Sequence, residues 1–141
     1  MKIAFHLLFL AALFCQSAIA QDTSDAKRLK NLGYMKYSSK VNCDSTNGSN
    51  IETRICLNIQ FQYLDSTLNS KFKYLLSRIE NDSVKNQLKQ YQSMWVLNRR
   101  VQSKLVTEGL EGNTAGIYYL NCMVETTNRR IEELEYLFEM I

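Results

Sequence analysis

Three long segments of this sequence carry apolar residues at steps of three and four, and no proline interrupts any of them. This spacing gathers the apolar side chains on one face of an α-helix, whereas a half-buried strand would need strict alternation. The pattern predicts helices over about residues 51–80, 84–107 and 114–140. The side chains expected to point inward are Leu57, Phe61, Leu64, Leu68, Phe72, Leu75, Ile79, Val84, Leu88, Tyr91, Trp95, Leu105, Ile117, Leu120, Val124, Ile131, Leu134 and Phe138.

The connections between these helices are short. Asp82 or Ser83 is a natural N-cap for the second helix, and Gly109 and Gly112 end it. Helices joined so closely in sequence lie antiparallel. The sequence therefore predicts an all-α fold in which residues 51–141 form an antiparallel three-helix bundle.

Residues 21–50 differ from the rest of the chain, because they are polar and are punctuated by glycine and asparagine. This composition predicts an irregular N-terminal segment, with at most a short helix around residues 25–32 and a loop over residues 44–50.

The N-terminus has the order of features that is typical of a secretory signal peptide. Lys2 precedes an apolar run over residues 3–14, and Ala18-Ile19-Ala20 follows it. We predict cleavage near Ala20, loss of residues 1–20 and export to the periplasm or the cell exterior. Large residues rather than small ones precede Cys15, which disfavours a lipid anchor there. The mature chain has no apolar run of the about 20 residues that a transmembrane helix needs.

Three cysteines remain after cleavage: Cys43, Cys56 and Cys122. In an up-down-up bundle all three lie towards the same end, and an oxidising compartment makes one disulfide the expectation. A Cys56–Cys122 bond is slightly favoured over the pairs that include Cys43, because it would tie the first long helix to the third and close a long loop. The spacing alone leaves the alternatives open.

The sequence gives no sign of catalysis. The only histidine, His6, lies in the predicted signal peptide, so the mature chain has no imidazole for general-base catalysis or zinc binding. No phosphate-binding loop, dinucleotide fingerprint or clustered metal ligands are present. We predict a protein that is not an enzyme and that uses no cofactor or metal.

Charge is distributed unevenly along the chain. Residues 21–107 carry 14 Lys and Arg against 7 Asp and Glu, whereas residues 108–141 carry 2 against 7. Such an asymmetry is most often a property of solvated helix faces, and otherwise it steers a partner. Nucleic acid is not the expected partner of an exported protein, although the basic residues could contact an anionic envelope surface.

Polar residues recur at helical spacing on all three helices. The set comprises Asp65, Asn69, Gln92, Trp95, Arg99, Thr127 and Arg130. We expect Asp65 to pair with Arg99 or Arg130 between helices, with Trp95 packed against the arginine stem. The favoured interpretation is that these residues fix the register of the helices, and the alternative is that they form a partner-binding surface.

Together with Cys56, Cys122 and the leucines around it, this set resembles the LprI-like lysozyme-inhibitor family over about residues 43–135. The Q-x-x-W-x-x-x-R run of Gln92, Trp95 and Arg99 is the most specific element of the resemblance. The family usually has a cysteine shortly after that arginine, but Ser103 stands there in this chain, which accounts for the odd number of cysteines.

The resemblance implies an exported envelope protein that binds and inhibits a lysozyme-like muramidase. Such an inhibitor must block a cleft that holds catalytic carboxylates, and the loops over residues 44–50 and 108–114 are the candidates. The alternative function is that of a periplasmic immunity protein, which neutralises a toxin or a cell-wall hydrolase.

Overall fold

The computed structural model describes residues 24–45 and 48–141, so the predicted signal peptide over residues 1–20 lies outside the described residues. The elements are α1 (Ser24–Lys30), a 3-10 helix (Gly33–Lys40), α2 (Asn50–Arg78), α3 (Asp82–Leu105) and α4 (Gly112–Glu139). The long helices α2, α3 and α4 pack in the antiparallel order that the sequence predicts, and the all-α fold is confirmed.

The ends of the long helices follow from local sequence. Ser49 caps α2, because its hydroxyl oxygen accepts from the backbone N–H of Glu52 and its O–H donates to the Glu52 carboxylate. Asn81 caps α3, with its side-chain oxygen accepting from the backbone N–H groups of Ser83 and Val84. The predicted cap, Asp82 or Ser83, is therefore wrong by one or two residues, because Asn81 already supplies a side-chain acceptor.

The turn between α3 and α4 needs glycine. Gly109 and Gly112 have φ angles of +76° and +59°, in the left-handed region that other residues adopt at a cost. The two glycines that the sequence marks as the end of the second helix therefore reverse the chain between α3 and α4.

Two apolar clusters form the core, and both lie mainly between α2 and α4. The first consists of Leu29, Phe61, Leu120, Met123 and Val124 and joins α1 to the two long helices. The second consists of Leu68, Phe72, Leu75, Ile131 and Leu134. Helix α3 packs mainly on α4, and Val96 is its one buried apolar side chain among the described residues. The inward pattern predicted for α2 and α4 is thus largely confirmed.

Four of the predicted inward residues are exposed instead: Val84, Tyr91, Leu105 and Phe138. Three of them lie on α3, where the inner face is occupied by Gln92, Arg99 and Ser103. Phe138 lies near the end of α4 and packs against the ring of Tyr74, with ring centroids 5.0 Å apart.

The N-terminal segment is more ordered than its composition suggests. The short helix predicted around residues 25–32 corresponds to α1, and the 3-10 helix follows it. Side chains of α2 hold α1 in place, because the Asn58 amide donates to the carbonyl of Leu29 and the Gln62 amide donates to that of Ala26. These tertiary hydrogen bonds are not visible in the local composition.

Among the described residues, no helix has both the length and the apolar character needed to cross a bilayer.

Phe61 and Tyr63 test which face of α2 carries the core. Phe61 is fully buried, whereas Tyr63 on the opposite face is 70% exposed. Because truncation of a buried aromatic leaves a cavity, Phe61→Ala is expected to lower the free energy of unfolding by about 3 to 5 kcal/mol. Tyr63→Ala is expected to change it by less than about 0.5 kcal/mol. If urea denaturation showed that the two variants lose the same free energy of unfolding, this assignment of the faces would be contradicted.

Candidate functional site

One end of the bundle, which we call the disulfide end, brings together the start of α2, the turn before α4 and the start of α4. Arg54 joins them, because its Nη1 donates to the Asn113 side chain at 2.9 Å and its guanidinium lies 4.3 Å from the ring centroid of Tyr34. A Cβ atom at Gly116 would lie 2.5 Å from the Arg54 Nε, so glycine leaves the room for this contact. The described parts of the two candidate loops are therefore neighbours in space.

The disulfide joins Cys43 and Cys56, with their Cα atoms 5.5 Å apart, and Cys122 is free and half-buried. The favoured Cys56–Cys122 pair is therefore wrong, and a pair that includes Cys43 forms. The physical reason is the position of Cys122 along the axis of the bundle. Gly116 on α4 lies beside Arg54 on α2, and the two helices run in the same direction. Cys122 lies six residues beyond Gly116 whereas Cys56 lies two beyond Arg54, so Cys122 is about 6 Å further along the bundle than Cys56.

A buried arginine, Arg99, stands at the centre of the predicted polar set. Its Nη1 donates to Asp65 and to Thr127, both at 3.0 Å, and its Nη2 donates to Asp25 at 3.1 Å. Its side chain is fully buried, and its guanidinium lies 4.9 Å from the Trp95 ring centroid. Asn69 adds a further hydrogen bond to Asp65 at 3.3 Å. One side chain thus links α1, α2, α3 and α4.

Both buried carboxylates of this network are paired with arginines. The Nε of Arg100 donates to both Asp25 oxygens at 3.0 Å, and its Nη2 donates to the Ser24 hydroxyl. Arg28 Nη2 also donates to Asp25, at 3.3 Å, so Asp25 and Asp65 face three guanidinium groups. These pairings offset much of the desolvation cost of burying the two carboxylates. Asp25, Ser24 and Arg100 are absent from the predicted set. Their only sequence signal is weak: Asp25 is the one acidic residue in an otherwise basic stretch over residues 23–43.

The other predicted residues form a second group around Arg130. The Nε of Arg130 donates to Gln92 at 3.0 Å, its Nη1 donates to Glu133 at 2.8 Å, and its guanidinium lies 4.7 Å from the Tyr91 ring centroid. Trp95 lies between the two arginines, because its ring is also 5.9 Å from Arg130. Of the two pairings expected for Asp65, the structure has the one with Arg99.

The burial of the two arginine groups limits their access to a binding partner. Asp25, Asp65, Arg99 and Arg130 are almost inaccessible, so a partner could reach them only after helices separate. We therefore propose that the two arginine groups fix the register of the helices. In residues 24–45 and 48–141, no three His, Cys, Asp or Glu side chains are placed to hold a metal ion.

Comparison with known proteins adds one finding. A family model described as lysozyme inhibitor LprI matches residues 43–134, which is more than half of the chain. No curated protein and no solved structure matches the chain.

Asp65→Ala tests the proposed role of the arginine network. The substitution leaves a buried guanidinium with one carboxylate fewer, so we expect the free energy of unfolding to fall by about 3 to 5 kcal/mol. Glu125→Ala on the exposed face of α4 is the control and should have little effect. An Asp65→Ala protein as stable as the wild type would reject the structural role.

The disulfide should stabilise the bundle. Replacing Cys43 and Cys56 together by serine removes a covalent closure between positions 13 residues apart. We expect the free energy of unfolding to fall by about 2 to 4 kcal/mol. Cys122→Ser, which removes the free thiol, is the matched control. This variant keeps the disulfide, so reducing agent should lower its free energy of unfolding as much as it lowers that of the wild type.

Proposed function

Because the chain belongs to the LprI lysozyme inhibitor family, we propose that it binds and inhibits a lysozyme outside the cytosol. Export is supported by the charged residue, apolar run and A-x-A site at the N-terminus. It is also supported by the Cys43–Cys56 disulfide, because disulfides persist mainly in oxidising compartments. The family match is the observation that carries the proposal.

We propose the disulfide end as the part that blocks the lysozyme cleft. Helices α2 and α4 both begin there, so the positive ends of two helix dipoles point in the same direction. Their first N–H groups are donors without intrahelical acceptors, and such groups favour carboxylates. Retaining and inverting glycosidases both hold a pair of carboxyl groups in the cleft, so the chemistry is complementary.

The start of α4 suits this role better than the start of α2. Ser49 already caps α2 by accepting from the N–H of Glu52. The N-cap residue of α4, Glu111, makes no side-chain hydrogen bond to the helix. Donors at the start of α4 thus compete with no side-chain cap for an incoming carboxylate.

This end is also rigid before binding. The disulfide ties Cys43 to the first turns of α2, and Arg54 ties α2 to Asn113 at the start of α4. A surface that is already ordered loses less conformational entropy on association, and more of the contact energy then appears as affinity.

The outer face of α4 can assist the encounter. Glu125, Glu132 and Glu139 are exposed there. Because many lysozymes are strongly cationic, an acidic face raises the association rate by long-range attraction. Such an effect weakens with increasing salt.

The first experiment measures muramidase activity in the presence of the oxidised mature protein, over a panel of lysozymes. We expect dose-dependent inhibition of at least one of them. If none is inhibited and an envelope extract instead supplies a tightly bound toxin, the immunity function replaces lysozyme inhibition.

Thr114→Pro tests the proposed donors at the start of α4. Proline is tolerated in the first turn of a helix but has no N–H, so the variant lacks one donor. A hydrogen bond to a charged group contributes about 1.5 to 3 kcal/mol, so the inhibition constant should rise by about tenfold or more. Thr114→Ala, which keeps the N–H, is the control. Equal inhibition by the two variants would remove the start of α4 from the binding end.

A further inference from the structure

Helix α3 carries an apolar row on the face that points away from the bundle. Met94, Leu97, Val101 and Leu105 are 63%, 57%, 55% and 61% exposed. Their spacing of three, four and four places them on one line, which is about 17 Å long at the rise of an α-helix. We call these four side chains the α3 ridge.

The ridge has no role in holding the fold together. The buried residues of α3 are Gln92, Arg99 and Ser103 together with one apolar residue, Val96, so its inner face is mainly polar while the ridge on its outer face is apolar. That is the reverse of the usual arrangement for a surface helix. Contiguous apolar side chains on the surface of a small protein mark an interaction site more often than scattered ones do.

The ridge leads into the disulfide end. Its last residue, Leu105, ends α3, and the turn that follows exposes Val106 and Leu110. Residues 106–111 then connect directly to the start of α4. The ridge and the proposed blocking end therefore form one continuous surface.

The charge beside the ridge selects the kind of partner. From Ser83 to Thr107 the chain has no acidic residue, and the exposed Lys104, three residues after Val101, lies on α3 beside the ridge. An apolar row with a cationic border complements a surface that is apolar and carries carboxylates. The substrate cleft of a muramidase supplies the carboxylates, since its chemistry requires a carboxyl pair beside the bound sugar.

We propose that the α3 ridge is the docking surface for the lysozyme and packs against the walls of its substrate cleft. This inference rests on the proposed inhibition and adds the surface that anchors the partner. Exposed methionine is suited to such a contact, because its flexible thioether adapts to the opposing surface. A few central apolar anchors dominate most interfaces, so single substitutions within the ridge have large effects.

Leu97→Asp and Val101→Asp test the ridge directly. Both side chains are more than half exposed, so the variants should unfold at the same urea concentration as the wild type. Each should raise the inhibition constant for the inhibited lysozyme by at least tenfold. Tyr63→Asp, an equally drastic change at an exposed aromatic on α2, is the control and should inhibit as the wild type does.

A pair of charge-reversal variants tests whether the cationic border contributes to binding. Lys104→Glu, beside the ridge, should weaken inhibition several-fold, and the loss should shrink at high salt. Lys73→Glu, at an exposed position on α2, makes the same charge change away from the ridge and should not weaken inhibition.

The outcomes separate this proposal from the proposed function. If the wild type inhibits a lysozyme and the ridge variants inhibit equally well, docking through α3 is wrong while inhibition stands. If no lysozyme is inhibited, both proposals fail.

Two further measurements test whether the ridge binds something other than a lysozyme: sedimentation equilibrium detects a second copy of this chain, and co-sedimentation with phosphatidylglycerol vesicles detects binding to a lipid surface. Loss of either association in Val101→Asp, with inhibition retained, would assign the ridge to that occupant and overturn the proposal.

Discussion

The guanidinium of Arg99 is the group on which the arrangement of the helices depends. It contacts Asp25 on α1, Asp65 on α2 and Thr127 on α4, and it projects from α3. A buried charge that loses its partners costs several kcal/mol, so sliding any one helix past the others by a turn is unfavourable. Helix α1, with seven residues, is too short to be stable alone and depends on Asp25 and on the amides of α2 for its position.

Because Arg99 is buried on the inner face of α3, apolar residues of this helix lie on its solvent-exposed face. A helix that devotes its inner face to Arg99, Gln92 and Ser103 has little room left for apolar side chains there. Only Val96 is a fully buried apolar residue of α3, and Leu88 and Trp95 are half-buried against the second apolar cluster. Four other apolar residues, Met94, Leu97, Val101 and Leu105, lie on the opposite face and are exposed. The buried network and the exposed ridge are thus two sides of one sequence pattern.

The difference between the inner face of α3 and those of α2 and α4 explains where prediction from the sequence succeeds and where it fails. On α2 and α4 the inner faces are apolar, so the three-and-four spacing identifies residues such as Phe61, Leu68 and Leu134 correctly. On α3 the predicted spacing is only partly right, because Leu88 and Trp95 pack against the second apolar cluster whereas Val84, Tyr91 and Leu105 are exposed. Helix geometry narrows the partner of Asp65 to Arg99 or Arg130, and the structure has Arg99. The contribution of Asp25 is not predictable in this way, because it comes from 74 residues away through a segment without a periodic pattern. The disulfide partner of Cys56 depends on the relative heights of α2 and α4, which spacing alone leaves open.

The buried network also changes the meaning of the charge asymmetry. Asp25 and Asp65 offset Arg99 and Arg100, so the difference between the basic residues 21–107 and the acidic residues 108–141 is carried by the surface. The two signs then lie on different helices. Exposed carboxylates on α4 attract a cationic protein over a Debye length of about 8 Å or more. In the docking that we propose, Lys104 beside the α3 ridge faces the carboxylate-lined cleft of the lysozyme. A protein of nearly balanced charge can therefore be drawn to a cationic enzyme and still present a cationic, apolar surface to its active site.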